Sequence, residues 1–204
     1  AQPADSYNQL EAVSAVSGAA FAIKRSVLEQ IGPFDDGFFI YYEDTDLSLR
    51  AALAGYHCLY VPTSIAYHDY ALRLSGWKFF LEERNRLLSW LKVFRWGTLV
   101  ALLPTLLLAE VLAWGYALLH GPDHLQSKAR SYAWFVMHRQ EIASARRSTQ
   151  ALRLVGDRSL LHNLMSHRLT LAQTANRYLV AIVEAVVQPL LWLWGGICRM
   201  IVIW

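Results

Sequence analysis

Asp35, Asp36, Glu43, Asp44 and Asp46 place five carboxylates within twelve residues, beside Phe34, Phe38, Phe39, Tyr41 and Tyr42. Aromatic neighbours desolvate carboxylates and raise their pKa values, and like charges held together resist ionising at once. A segment of this kind can tune a general base or coordinate a metal. A plainer reading fits the same residues: an Asp-Asp-Gly turn at 35–37, an aromatic strand, and acids at a helix N-terminus where the dipole favours them. Spacing leaves both open.

The elements that must hold this segment can be read on either side of it. Residues 1–12 read as a loop, and 13–23 as a buried strand in which Gly18 marks a close backbone approach. Ser26 is positioned to cap a short helix at 27–31, with Glu29 completing a capping box, Gly32 ending it and Pro33 forbidding its continuation. Residues 38–42 read as a strand and 45–54 as a helix closed by Gly55. Two extended pieces follow at 57–61 and 64–70, separated by Pro62. Alternating strands and helices predict an α/β layer architecture over residues 1–75.

Beyond that the chain changes character. In residues 76–96, Trp77, Phe80, Leu81, Leu87, Leu88, Leu91 and Phe94 form a helical stripe opposed by Lys78, Glu82, Arg86, Lys92 and Arg95. This suits either an amphipathic helix at a membrane interface or one packed on a catalytic core. Residues 97–119 are long and apolar enough to span a bilayer, but contain Pro104 and Glu110. Residues 120–178 carry nine Lys/Arg against three Asp/Glu, whereas residues 1–96 carry nine against eleven. One crossing at 97–119 would put the basic stretch on the wrong side of the positive-inside tendency. An apolar interfacial or re-entrant hairpin bent near Pro104 is therefore expected. Residues 120–178 read as basic amphipathic helices, with Ser127 or Ser131 as caps and a break near Gly156-Asp157. Their basic face suits anionic headgroups or an ordinary solvated surface. Residues 179–204 form a second apolar, membrane-associated run, interrupted by Glu184, Gln188, Pro189 and Arg199.

Composition bounds the function. Of 204 residues, 55% are hydrophobic and eight are Trp, which points to membrane contact. Cys58 and Cys198 are too far apart for a disulfide framework or a metal-site spacing and read as buried, reduced thiols. Nucleic-acid binding is excluded, because no reading motif is present and the aromatics are not interleaved with the basic residues. Nothing at either end resembles a signal peptide or a natural stop, so the sequence reads as a piece of a longer chain.

Five blocks in order carry a resemblance: Ser17-Gly18-Ala19-Ala20-Phe21-Ala22-Ile23-Lys24-Arg25, then Ile31-Gly32-Pro33-Phe34-Asp35, then Tyr42-Glu43-Asp44-Thr45-Asp46-Leu47 with Arg50, then Ala54-Gly55-Tyr56, then Tyr60-Val61-Pro62. Together they resemble the second, acceptor-side half of a family 2 glycosyltransferase catalytic domain. Within that family the chain is most similar to bacterial rhamnosyltransferase-like enzymes of cell-surface polysaccharide assembly. The resemblance continues less sharply through Glu83-Arg84-Asn85-Arg86.

The resemblance implies a partial GT-A fold followed by an all-helical membrane-associated region. Its reaction is inverting transfer from a nucleotide-diphosphate sugar, with rhamnose from a dTDP donor as the expected sugar, to a lipid-linked or cell-surface glycan. The site would be the cytoplasmic face of a bacterial inner membrane. The family's base falls on Asp44, with Glu43 as runner-up and Asp46 bracing the following helix. Gly18, Tyr41, Tyr42, Arg84 and Arg86 are the implied substrate contacts. His68 is the implied ligand of a divalent Mg²⁺ or Mn²⁺, shared with an Asp-x-Asp motif that this sequence lacks in the expected place. With half a site, the chain alone is expected to be inactive. Two competing readings are a non-enzymatic membrane-anchoring or assembly module derived from such an enzyme, and a small membrane protein whose acidic cluster binds a structural metal. Oligomeric state is not legible.

Overall fold

Helical periodicity dominates the fold, and the strands are fewer than the sequence suggests. A computed structural model of the chain describes residues 8–69, 74–164, 185 and 187–204. In order these form β1 (Glu11–Val13), α1 (Arg25–Ile31), α2 (Glu43–Leu53), β2 (Cys58–Tyr60), α3 (Gly76–Val93), α4 (Trp96–Ala101), α5 (Leu103–His120), α6 (Pro122–Met137), α7 (Arg139–Ala151), α8 (Asp157–Leu164) and α9 (Gln188–Ile201). The only sheet among the described residues pairs β1 with β2 antiparallel, Ala12 opposite Leu59. Over residues 1–75 strands and helices do mix, but the expected layer shrinks to two helices and a two-stranded ribbon, and the described chain beyond is helical as expected. Residues 14–23 leave the ribbon as a loop, and 64–69 add no strand.

The expected strand at 38–42 is a correction with a clear physical cause. Phe39, Tyr41 and Tyr42 all have positive φ, at 64°, 67° and 65°, a region costly for side chains of this bulk. Such a backbone cannot lie in a ladder. Capping is corrected too: Lys24 precedes α1 and makes no side-chain cap, so Ser26 lies inside the helix. Ser127 and Ser131 are buried in the middle of α6, which begins at Pro122 directly after Gly121. Pro supplies a preset helical φ and has no N–H to leave unsatisfied there.

α3 organises the rest, packing on α2, α6 and α7. One core gathers Leu49 and Leu53 of α2, Val93 and Phe94 at the end of α3, Leu99 of α4, Leu161 of α8 and Cys198 of α9. A smaller one joins Val27 and Ile31 of α1 to Leu47 and Ala51 of α2. Cys198 is buried and Cys58 half-buried, both free thiols.

The run 97–119 breaks at Leu102 into α4 and α5, with Pro104 in the first turn of α5. By length and composition alone, α5 is the one described helix able to cross a membrane. Its one carboxylate, Glu110, turns toward α3 and α6. There Glu110 meets Arg86 at 2.5 Å, Lys128 at 2.7 Å and the Tyr132 hydroxyl, while Glu83 holds Arg86 at 2.7 Å and also pairs with Lys128. A flank of α5 beside Glu110 exposes Leu107, Val111 and Leu118. Part of the basic region (165–178) and part of the second apolar run (179–184 and 186) lie outside the described residues.

Candidate active site

The acidic segment is a loop feeding a helix. Asp35 starts the turn: its Oδ1 accepts the Gly37 N–H at 2.9 Å and its backbone carbonyl accepts the Phe38 N–H at 3.0 Å. Phe38 is fully buried, and the chain then passes through the three left-handed residues into α2, whose first turn carries Glu43, Asp44 and Asp46.

α3 imposes that backbone from below. The Asn85 amide nitrogen donates to the carbonyls of Phe38 at 2.9 Å, Ile40 at 2.9 Å and Tyr41 at 2.8 Å. Arg84 donates to the carbonyls of Gly37 at 2.8 Å and Phe38 at 3.0 Å, and to Asn85 Oδ1 at 2.8 Å. These carbonyls would otherwise be unsatisfied inside the fold, so the clamp offsets the cost of the strained loop.

The carboxylates then divide by environment. Asp46 is wholly buried; Arg50 Nε donates to its Oδ2 at 2.8 Å, and Lys92 Nζ lies 2.6 Å from Oδ1, a contact of charge rather than an aligned hydrogen bond. Lys92 also binds Asp35 Oδ2 at 2.6 Å and sits 4.7 Å over the Phe38 ring. Burial pushes the Asp35 carboxyl up, but the Lys92 hydrogen bond and charge, the Gly37 N–H and Arg50 outweigh it and hold the group below its ordinary value. Arg50 also donates to the carbonyls of Ile31 at 2.6 Å, Gly32 at 3.1 Å and Pro33 at 2.8 Å, tying α1 to α2.

Asp44 is different. It is half-exposed and has no cationic partner among the described residues. Its Oδ2 accepts the Gly18 N–H at 2.7 Å and its Oδ1 the Thr45 N–H at 2.6 Å, so the carboxylate is aimed without being neutralised. Glu43 is adjacent, with Oε2 buried and unpartnered among the described residues. Glu82 of α3 faces the pair: burial first, then repulsion from Glu83, Asp44 and Glu43, raises its carboxyl above the ordinary value against the pull of Arg86.

Gly18, Glu43, Asp44 and Tyr42 are therefore brought together. Tyr42 is half-buried and its phenol is pushed well above the usual range, chiefly by burial. Tyr41 enters through its carbonyl on Asn85. Arg84 and Arg86 were implied as substrate contacts; their guanidinium groups are occupied by loop carbonyls and by Glu83 and Glu110. His68 is exposed beside 70–73, which lie outside the described residues. Among the described residues no group of three His, Cys, Asp or Glu side chains converges as a metal site, so these residues do not by themselves fit the implied cation. Asn85, Glu82 and Lys92 were missed as site-forming residues. The crowding of charge at 82–86 was the available signal.

The resemblance placed a glycosyltransferase's base on Asp44, and the comparison with known families decides the family. The sequence profile of Glycosyl transferase family group 2 matches residues 4–204. The chain belongs to this family. Among curated members, an N-acetylglucosaminyl-diphospho-decaprenol L-rhamnosyltransferase of Mycobacterium tuberculosis (strain CDC 1551 / Oshkosh) is 39% identical over 56 residues, 28% of this chain and 18% of that protein. Rhamnosyltransferase WbbL of Escherichia coli (strain K12) is 40% identical over 52 residues, 26% of this chain and 20% of that protein. The protein named "Probable glycosyltransferase YdaM" of Bacillus subtilis (strain 168) is 32% identical over 74 residues, 36% of this chain and 16% of that protein. The matched stretch thus spans a fifth or less of these family members. No solved structure matches the chain.

Proposed function

We propose that this chain is the acceptor-side part of an inverting glycosyltransferase, with Asp44 as the general base. The observation that carries the reading is the contrast among neighbouring carboxylates: Asp35 and Asp46 are neutralised by Lys92 and Arg50, whereas Asp44 is held by two backbone N–H groups and left without a cation. Asp44 would take the proton of an acceptor hydroxyl as that oxygen bonds to the anomeric carbon. The bond from that carbon to the donor diphosphate breaks, and the nucleoside diphosphate leaves with the electron pair. Gly18 and Thr45 fix the carboxylate's direction, and Asn85 and Arg84 fix the loop that presents it. No step is assigned to a metal.

The donor is a nucleotide-diphosphate sugar and the acceptor a glycan; the finer proposal is rhamnose from a dTDP donor and a lipid-linked acceptor, the sugar being the one that the names of both rhamnosyltransferases give and the lipid-linked acceptor the one that the mycobacterial name gives. The outward apolar face of α5 supports placement at a membrane, on the cytoplasmic face of a bacterial inner membrane. The inward Glu110 network favours a helix lying along the bundle over one crossing alone, because a crossing would carry Arg86, Lys128 and Glu83 into lipid with it. The test is transfer from a panel of labelled nucleotide sugars to extracted lipid acceptors by the full-length protein. Label entering the lipid fraction from dTDP-rhamnose supports the reading. No transfer from any donor contradicts it and favours an anchoring module.

A further inference from the structure

Arg84 is buried on α3, yet among the described residues no carboxylate forms an ion pair with it. A buried guanidinium needs compensation of another kind. Part of it comes from oxygen: the loop carbonyls of Gly37 and Phe38, and Asn85 Oδ1. The rest comes from rings. Arg84 Cζ lies 5.6 Å from the centroid of Phe80, one turn back on α3, and 4.9 Å from that of Trp134 on α6. A planar, weakly hydrated cation suits such faces, and an indole attracts it most strongly.

Trp134 is itself held in place. Its ring stacks on His138 at 4.5 Å and 16°, and its backbone carbonyl accepts from His138 Nδ1 at 2.9 Å. Earlier on α6 the fully buried Lys128 pairs with Glu83, the neighbour of Arg84, and so fixes where α6 lies along α3. Phe80 is backed in turn by Trp77, their ring centroids 5.4 Å apart. Each of the two helices thus presents a braced ring to one cation.

That cation controls more than the two carbonyls it reaches. Its Nε–H donates to Asn85 Oδ1, which settles the orientation of the Asn85 amide: with the oxygen taken, the amide nitrogen faces the carbonyls of Phe38, Ile40 and Tyr41. A chain of contacts therefore runs from Trp134 through Arg84 and Asn85 to the left-handed loop that presents Asp44. We propose that Trp134 is a positioning residue for transfer, its indole face holding Arg84 where it locks the Asn85 amide and the loop carbonyls. This role rests on the reading of Asp44 as the base.

The test is turnover and donor KM of full-length variants, with the labelled nucleotide sugar and extracted lipid acceptor that support transfer, beside their thermal midpoints. Trp134→Leu fills much of the space but offers no π face. It should lower turnover roughly five- to thirtyfold, with donor KM changed by no more than about twofold. Trp134→Phe should recover most of that loss. Trp114→Leu, which removes an indole that packs on Tyr132 instead, should lower the midpoint and nearly keep turnover. In an Arg84→Met background the further change Trp134→Leu should cost no more than about twofold, because the contact it breaks is already gone.

Full turnover in Trp134→Leu would overturn the proposal while leaving Asp44 as the base. Equal loss in the Leu and Phe forms, or an undiminished loss in the Arg84→Met background, would do the same. A Trp114→Leu enzyme as slow as Trp134→Leu would reduce the effect to loosened packing and also overturn it. Should Arg84→Met not fold, the contrast between Leu and Phe and the split between turnover and KM decide alone. Normal turnover in Asp44→Asn, or no transfer by the unmodified protein from any donor, would instead remove the reading on which the role rests, and the role with it.

Discussion

The Gly18 N–H lies 2.7 Å from Asp44 Oδ2, and a Cβ at Gly18 would stand 3.3 Å from that same oxygen. The loop leaving β1 can therefore orient the carboxylate only while position 18 stays small. Gly18→Ala needs a shift of a few tenths of an ångström, whereas Gly18→Val must displace the side chain. In the full-length enzyme we expect Gly18→Val to lower turnover on the order of tenfold or more with little change in thermal midpoint. Equal turnover in the glycine, alanine and valine forms would count against the contact.

Asn85 is expected to behave as a positioning residue. Asn85→Ala removes the side-chain donor from the carbonyls of Ile40 and Tyr41, while Phe38 keeps Arg84, and should cost about 1–3 kcal/mol in urea unfolding. Asn85→Asp, which aims an acceptor at those carbonyls, should cost more. Turnover should fall with KM less affected, since the loop relaxes from the left-handed backbone that presents Asp44. An Asn85→Asp protein as stable as wild type would refute the clamp.

Lys92→Met should be among the most damaging changes outside the apolar core. It leaves Asp46 buried with only Arg50 and removes the partner of Asp35, a loss of about 3–5 kcal/mol by the usual cost of breaking a buried pair. Acid should partly mimic it. Asp35 titrates below its ordinary value of 3.8, so its contribution is present above that value and is lost as pH falls through the lower folded value. Unfolding midpoints of wild type should therefore drop with acid more steeply than those of Lys92→Met.

Glu82 carries the opposite sign. Its folded value lies above the ordinary 4.5, so between the two the folded chain keeps a proton that the unfolded chain releases, and stability falls as pH rises through that window. Glu82→Gln should accordingly stabilise the protein near neutrality, with the gain vanishing in acid below the ordinary value. A gain that is the same at both ends of the titration would show that burial and the charges of Glu83, Asp44 and Glu43 do not raise this carboxyl.

Much of this arrangement was legible from local sequence. The acids at the start of α2, the Gly55 stop and the bend near Pro104 rest on short-range chemistry, and the structure places a helix or a turn there; the close approach at Gly18 was marked by the glycine alone, and its partner Asp44 lies 26 residues on. The aromatic run at 38–42 was misread because its conformation is imposed by Asn85, more than forty residues away, and nothing within the run announces it. The surroundings of Arg84 and Arg86 were illegible for a similar reason. A sequence shows a basic residue but not which carbonyls or carboxylates occupy it. The helical bulk from α5 onward has apolar faces both inside and outside, and periodicity alone does not distinguish them.

The central claim is that Asp44 removes the acceptor proton, and the most direct measurement is the paired turnover number and donor dissociation constant of full-length Asp44→Asn. Asn keeps the shape and can still lie against the Gly18 N–H, but it lacks the basic oxygen. We expect turnover to fall by roughly 10²–10⁴-fold with donor affinity nearly unchanged. Asp46→Asn, by contrast, should chiefly lower stability. Near-normal turnover in Asp44→Asn would contradict the assignment and move the search for the base to Glu43.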